Sequence, residues 1–236
     1  MLVTGVVAQA FATNCYVVAP AAGEECLVVD PGVGVLEELA ELLAAHRLKP
    51  AAVLATHGHL DHVYSVTPVC GAHGVAAYIH ADDRYRLEDP LKLLDPALLA
   101  MLGQQFGATA AWAEPQDVVA VHDGTVLDLA GLRVEVVHAP GHTEGSVMFR
   151  LPGAPEAASG PAELSETVLA GDVLFRDGIG RTDLPGGDPV AMGRSLRDKV
   201  LPLPDSALVL PGHGPATTMG RERRANQFLA TLVARS

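Results

Sequence analysis

Cysteine is scarce in this 236-residue chain, and the three present, Cys15, Cys26 and Cys70, are odd in number and far apart. That excludes a disulfide framework and a Cys-x-x-Cys metal knuckle, and it fits a reducing compartment. Positive charge is also scarce, with 16 Lys and Arg against 28 Asp and Glu and a formal charge of −12. Such a surface repels phosphate backbones, so nucleic acid is not an expected partner. Long apolar runs are missing, with nothing near the ~18 consecutive apolar residues that a membrane span needs. The apolar start is broken by Gln9, Asn14 and Pro20, and the first basic residue is Arg47, so neither membrane nor export is expected and the protein is predicted to be cytoplasmic. What is present, 49% hydrophobic and 19% charged residues, describes a folded protein with a real core, predicted as one domain over residues 1–236.

Short apolar runs at Leu2–Ala8, Cys15–Val18 and Cys26–Val29, punctuated by Gly, Pro and Asn, predict an opening meander of strands. From Val35 to Arg47, leucines recur at helical spacing while Glu37, Glu38 and Glu41 take the other side, which predicts an amphipathic helix. Strands are predicted at Ala51–Ala55, within Gln116–Leu129, and at Leu132–Val137, Val168–Ala170 and Ala207–Leu210. Helices are predicted from Asp61 towards Cys70, in the leucine-rich stretch Leu87–Phe106, and at Arg221–Val233. Residues 152–166, rich in Pro, Ala, Gly, Ser and Glu without periodicity, read as a surface insertion.

The densest chemical signal is Thr56-His57-Gly58-His59-Leu60-Asp61-His62, which places four potential metal ligands within six residues directly after an apolar strand. His57 and His59 can grip one ion from a tight turn, and Asp61 and His62 project towards a neighbouring position. A lone histidine such as His46 or His73 is ordinarily a surface or core residue, but four such groups in one turn argue for metal. Three further candidates, His142, Asp172 and His213, each follow an apolar run that ends in Gly, in VEVVHAPGH, TVLAGD and ALVLPGH. Ligands at strand ends on one sheet edge converge, so these seven residues make a dinuclear site in which one carboxylate can bridge. His and Asp donors of this kind accept zinc, iron or manganese, and two divalent ions, foremost zinc, are the expected cofactor.

With THGHLDH and the later His142, Asp172 and His213, the chain resembles the metallo-β-lactamase superfamily over nearly its whole length; TNCYVV and LVVDPG fit as well. The resemblance implies an α/β fold, an αββα sandwich of two facing mixed sheets flanked by helices. It also implies ligand sets: His57, His59 and His142 on one metal, Asp61, His62 and His213 on the other, with Asp172 bridging. Asp30 is either the superfamily's early structural aspartate or a plain turn residue. True β-lactamases carry Cys or Ser at the Asp172 position and are exported, which argues against antibiotic hydrolysis. NCYVV, APGHTEGS, AGDVLF, GIGRTDLPGGD and LPGHG are most similar to the compact bacterial glyoxalase II-like thioester hydrolases.

That resemblance implies a metal-dependent hydrolase that cleaves a small thioester of the S-lactoylglutathione kind. A metal-bridging hydroxide would attack, with Asp61 orienting it as the catalytic residue. The alternatives are a mononuclear iron persulfide dioxygenase and a lactone or phosphoester hydrolase of the same fold. The expected partner is a small-molecule thioester; no C-terminal helical glutathione-binding domain is expected after His213, and the oligomeric state is left open. Arg181 stands where the larger enzymes place a glutathione-contacting lysine, so it is the substrate-binding candidate, although it could equally form a loop salt bridge with Asp183. Leu91, Leu94, Leu98, Leu99 and Met101 either line the mouth of the site or belong to the core.

Overall fold

The computed structural model of the chain describes residues 1–91, 100, 103–104, 113–156 and 164–233. Two six-stranded sheets dominate it. The first runs in the order β1 (Leu2–Val7), β2 (Asn14–Ala19), β3 (Glu25–Val29), β4 (Lys49–Leu54), β5 (Ala77–His80) and β6 (Val118–Val121). In the second, β7 (Val126–Leu129) is the edge, followed by β8 (Leu132–His138), β9 (Val147–Pro152), β10 (Glu166–Gly171), β13 (Ala207–Pro211) and β14 (Thr217–Thr218). A ribbon of β11 (Leu174–Phe175) and β12 (Gly178–Ile179) lies apart. Both sheets are mixed: β3 to β6 pair in parallel, as do β10 and β13, while β1–β2–β3 and β7–β8–β9–β10 are antiparallel.

Side-chain alternation along each strand builds three apolar layers. Inward residues Val18, Leu27, Val29 and Leu54 of the first sheet meet Val136, Phe149, Leu169 and Leu210 of the second. The opposite face of the first sheet, through Cys15, Val17, Cys26 and Val28, packs on Leu39 and Leu43 of α1 (Leu36–His46) and on Val69 and Cys70 of α3 (Val66–His73). The outer face of the second sheet, through Met148, Val168 and Val209, packs on Met192 of α4 (Pro189–Ser195), Met219 of α5 (Met219–Ala225) and Leu229 of α6 (Gln227–Val233). Strands buried on both faces read as continuous apolar runs, which is why these segments stood out in the sequence. The layers are therefore helix, sheet, sheet, helix, as the resemblance implied.

Two predicted helices are each broken in two. The helix expected from Asp61 towards Cys70 is a single turn, α2 (Leu60–Val63), followed by α3. The break falls at Ser65, whose N–H donates to Pro31 O at 2.9 Å and whose hydroxyl donates to Gly32 O at 2.6 Å, so its amide serves the β3–α1 loop and not the preceding turn. Pro68 then sits in the first turn of α3, where no N–H is needed. The helix expected at Arg221–Val233 breaks at Asn226, which leaves helical geometry and accepts the Phe228 N–H on its side chain at 3.0 Å. Most of the leucine-rich stretch Leu87–Phe106 and residues 157–163 of the expected insertion lie outside the described residues. Among the described residues, no helix is long and apolar enough to cross a membrane.

Candidate metal centre

Strands β3, β4, β8, β10 and β13 all deliver their C-terminal ends to one edge of the sandwich. Asp30 follows β3, the turn 56–62 follows β4, His142 follows β8, Asp172 follows β10 and His213 follows β13. Backbone hydrogen bonds from Val147 N to Thr56 O (2.8 Å) and from Asn14 N to Gly212 O (2.7 Å) tie the two sheets together at this edge. All seven residues singled out in the sequence meet there.

They form two adjacent sets. His57 Nε2, His59 Nδ1 and His142 Nε2 stand 3.1, 2.8 and 3.2 Å from one another. Three nitrogens around a tetrahedral ion with bonds of ~2.0–2.1 Å would be about 3.3 Å apart, so this set has the size of an ion. Asp61, His62 and His213 form the second set, with His213 Nε2 at 3.2 Å and His62 Nε2 at 3.5 Å from Asp61 Oδ2. Asp172 lies between them: Oδ2 is 3.4 Å from His142 Nε2, and Oδ1 is 3.4 Å from His62 Nε2. Asp172 Oδ1 is buried without a hydrogen-bond partner, a costly state for a carboxylate that a cation would relieve.

The outer hydrogen bonds fix which nitrogen faces the centre. Asp30, buried and in the left-handed region at φ 52°, accepts the Thr56 N–H and hydroxyl at 2.7 Å each, and its Oδ2 also accepts His62 Nδ1–H at 3.0 Å. Because the Thr56 proton is given to Asp30, His57 Nδ1–H donates to Thr56 Oγ1 at 3.1 Å, and its Nε2 faces the centre with a lone pair. His142 Nδ1 donates to Arg181 O at 2.8 Å and His213 Nδ1 to Phe11 O at 3.1 Å, with the same consequence. Asp30 thus supports the site through three hydrogen bonds and is more than a simple turn residue.

The charges divide the two sets. Burial and the neighbouring imidazoles lower the His57 pKa well below the usual value, burial together with His142 brings His59 down to about 3, and burial also lowers His142. These three are neutral near pH 7, the form that binds metal. In the second set, burial opposes a charge on His62, but Asp61, Asp172 and Asp30 outweigh it and raise its pKa well above the ordinary value. His213 is raised likewise against burial, by its contact with Asp61. Protons there neutralise the carboxylates, and an ion would replace them.

Arg181 forms a bidentate pair with Asp183, both distances 2.7 Å, with both side chains exposed at the rim. A cleft of about 420 Å³ opens above both sets, walled by Phe11, Leu60, Pro90, Leu184 and Pro185, with Arg181 at its margin. Of the apolar residues expected at this mouth, Leu94, Leu98, Leu99 and Met101 lie outside the described residues. Sequence reasoning missed Thr13, whose hydroxyl donates to Asp61 Oδ2 at 2.9 Å, although TNCYVV had drawn attention to the segment. It also missed Asp83, which accepts Gly58 N–H and Thr143 Oγ1–H at 2.7 Å each and carries no signal in ADDRYRL. A further cluster of His80, Asp82 and His138 has a different geometry: the two rings stack at 3.8 Å and 13°, His80 Nδ1 accepts the Asp82 N–H and His138 Nε2 is bonded to Glu144 O.

Known proteins resemble this chain over most of its length. A sequence model of the metallo-beta-lactamase superfamily matches residues 8–213. An uncharacterised protein of Mycobacterium tuberculosis is 45% identical over 233 residues, 98% of this chain and 99% of its own. Hydroxyacylglutathione hydrolase GloC of Haemophilus influenzae is 34% identical over 203 residues, 86% of each chain. Among solved structures, BLEG-1, described as a B3 metallo-beta-lactamase, superposes with a TM-score of 0.74 at 32% identity over 97% of this chain and 99% of that one. TTHA1623 in a di-iron-bound form gives 0.73 at 36% identity, over 96% of this chain and 100% of its own. The superfamily binds divalent metals and includes metallo-hydrolases, and with its matching sequence and fold this chain belongs to the metallo-β-lactamase superfamily.

Proposed function

We propose that the protein is a glyoxalase II-type hydrolase that cleaves a small thioester with two divalent ions, held by His57, His59 and His142 and by Asp61, His62 and His213, with Asp172 shared. The observation that carries this reading is Asp172, placed between two complete sets with one oxygen towards each, its Oδ1 buried without a hydrogen bond. GloC, a hydroxyacylglutathione hydrolase by name, supports the thioester as substrate.

Bound there, two ions would supply water activated at neutral pH and a Lewis acid for a carbonyl oxygen. Asp61 is held as a carboxylate because its histidine and threonine neighbours overcome the effect of burial, so it can accept a hydrogen bond from the attacking water and aim it. The apolar walls of the cleft hold the acyl and thiol halves and exclude bulk water. Arg181 meets a carboxylate on the thiol half: an exposed pair contributes little, so a substrate carboxylate can take the place of Asp183 at small cost. Cysteine chemistry plays no part. Burial pushes the Cys26 thiol up to about 12 and Cys70 to about 11, and Cys15 higher still, so all three stay protonated.

The test joins elemental analysis of metal-loaded protein to thiol release from a panel of thioesters. Two ions per chain and thioester turnover are expected. One ion at saturation favours the mononuclear dioxygenase, and turnover of a β-lactam, a lactone or a phosphoester in place of every thioester overturns the substrate assignment.

A further inference from the structure

Arg86 is 2% exposed and, among the described residues, heads the fully buried side chains in size, an unusual place for a guanidinium. It projects from the 3-10 turn Ala81–Leu87 that follows β5. Its Nε donates to Asp83 Oδ1 at 3.3 Å, and its Nη2 donates to Glu144 Oε2 at 2.7 Å and to Pro185 O at 3.0 Å. Its stem covers Gly58, between His57 and His59; a Cβ built on Gly58 would fall 2.5 Å from Arg86 Cβ and 2.6 Å from its Cδ. One side chain thus touches the turn of the first metal set, the segment after His142 and the loop 181–187.

The loop 181–187 forms one wall of the cleft through Arg181, Leu184 and Pro185. Its start is tied to the site by His142 Nδ1 on Arg181 O, and Asp188 N donates to Gly141 O at 2.9 Å just after its end. Between these ties, among the described residues, the bond from Arg86 to Pro185 O is the one hydrogen bond to its backbone from a side chain outside the loop. Asp83 does not need Arg86 for its own satisfaction, because Gly58 N, Thr143 Oγ1 and Gly145 N all donate to it at 2.7 to 2.8 Å. A shorter or apolar side chain could fill the volume; only a planar fork reaches Asp83, Glu144 and Pro185 O together.

We infer that Arg86 is a positioning residue that, latched by Glu144, holds the substrate-facing loop 181–187 at a fixed height over the turn carrying His57 and His59. The inference rests on the hydrolase reading in taking that loop as the wall met by substrate. Glu144 is 46% exposed, so removing its carboxylate releases the latch without opening the core.

The experiment uses the metal-loaded full chain and the variants Glu144→Ala, Glu144→Gln and Arg86→Lys. Amide hydrogen exchange across 181–187, metal content, and kcat and KM on a thioester turned over by the wild type are measured together. Glu144→Ala and Arg86→Lys should speed exchange in the loop and raise KM by roughly tenfold, the scale of one charge-assisted hydrogen bond, with both ions retained and kcat within about threefold. Glu144→Gln, which keeps an acceptor, should recover part of the loss. Unchanged exchange in 181–187, or a fall in kcat and melting temperature at constant KM, would overturn the latch. If the wild type turns over no thioester, the proposed reaction fails while the exchange comparison still decides the role of Arg86.

Discussion

Asp30 shows how much one carboxylate can organise. Its two oxygens receive three donors, the Thr56 amide, the Thr56 hydroxyl and His62 Nδ1, and through Thr56 it also orients His57. An Asn at this position would turn an NH2 donor towards one of them. We expect Asp30→Asn to weaken metal binding in both sets by about 10- to 100-fold, the usual scale for a lost outer partner. Chelator competition reads this directly, and unchanged affinity would remove Asp30 from the site's support. Asp172→Ala should lose both ions together, whereas His46→Ala, at the far end of α1, should lose neither. If Asp172→Ala keeps one ion at wild-type affinity, the carboxylate is not shared. The seven metal candidates were legible in the sequence because each stands at the end of an apolar run. Asp83 and Arg86 were not, since ADDRYRL looks like a solvated turn until β5 carries it beneath Gly58.

At the scale of elements, the 3-10 turn Ala81–Leu87 depends on a histidine cap: His80 Nδ1 accepts the Asp82 N–H at 3.2 Å, and its ring stacks on His138. Burial, then the neighbouring His138, holds the His80 pKa down at about 4. Its unfolded value is near 6.5, so below that pH the unfolded chain binds the proton more readily and stability falls as pH drops towards 4. His80→Asn keeps an acceptor and does not titrate. The urea midpoints of wild type and variant, both metal-free, should therefore converge between pH 7 and 4.5, by a change on the order of 2 kcal/mol at most. A gap that stays constant would mean that His80 protonates freely in the fold. Strands were legible because both faces of the central ones are buried; the breaks at Ser65 and Asn226 were not, because Pro31 O and Gly178 O, which engage those residues, come from distant segments.

Across the whole molecule, the two ligand sets join the sheets, with His57, His59, Asp61 and His62 following the first and His142, Asp172 and His213 following the second. Bound ions should therefore act as staples between layers. Free metal at a thousand times its Kd adds about 4 kcal/mol, so chelation should lower the melting temperature by on the order of 10 °C. A chelated protein that melts with the loaded one would show that the layers hold without them. The sandwich itself could not be read from periodicity, which marks buried strands without saying which sheet receives them; the family resemblance supplied that step.

The isolated bridge between Thr13 and His213 joins the residue just before β2 to a residue just after β13, one from the start of the chain and one from near its end. During synthesis, the turn with four ligands emerges long before its partners, and neither set can close until residue 142 and then residue 213 have been made. The nascent chain therefore offers only a partial and weakly selective grip. If two ions are held as proposed, their identity would be decided afterwards, by a folded molecule in exchange with the metal supply of the cell, and growth conditions are then expected to change the metal content of the purified protein without changing its fold.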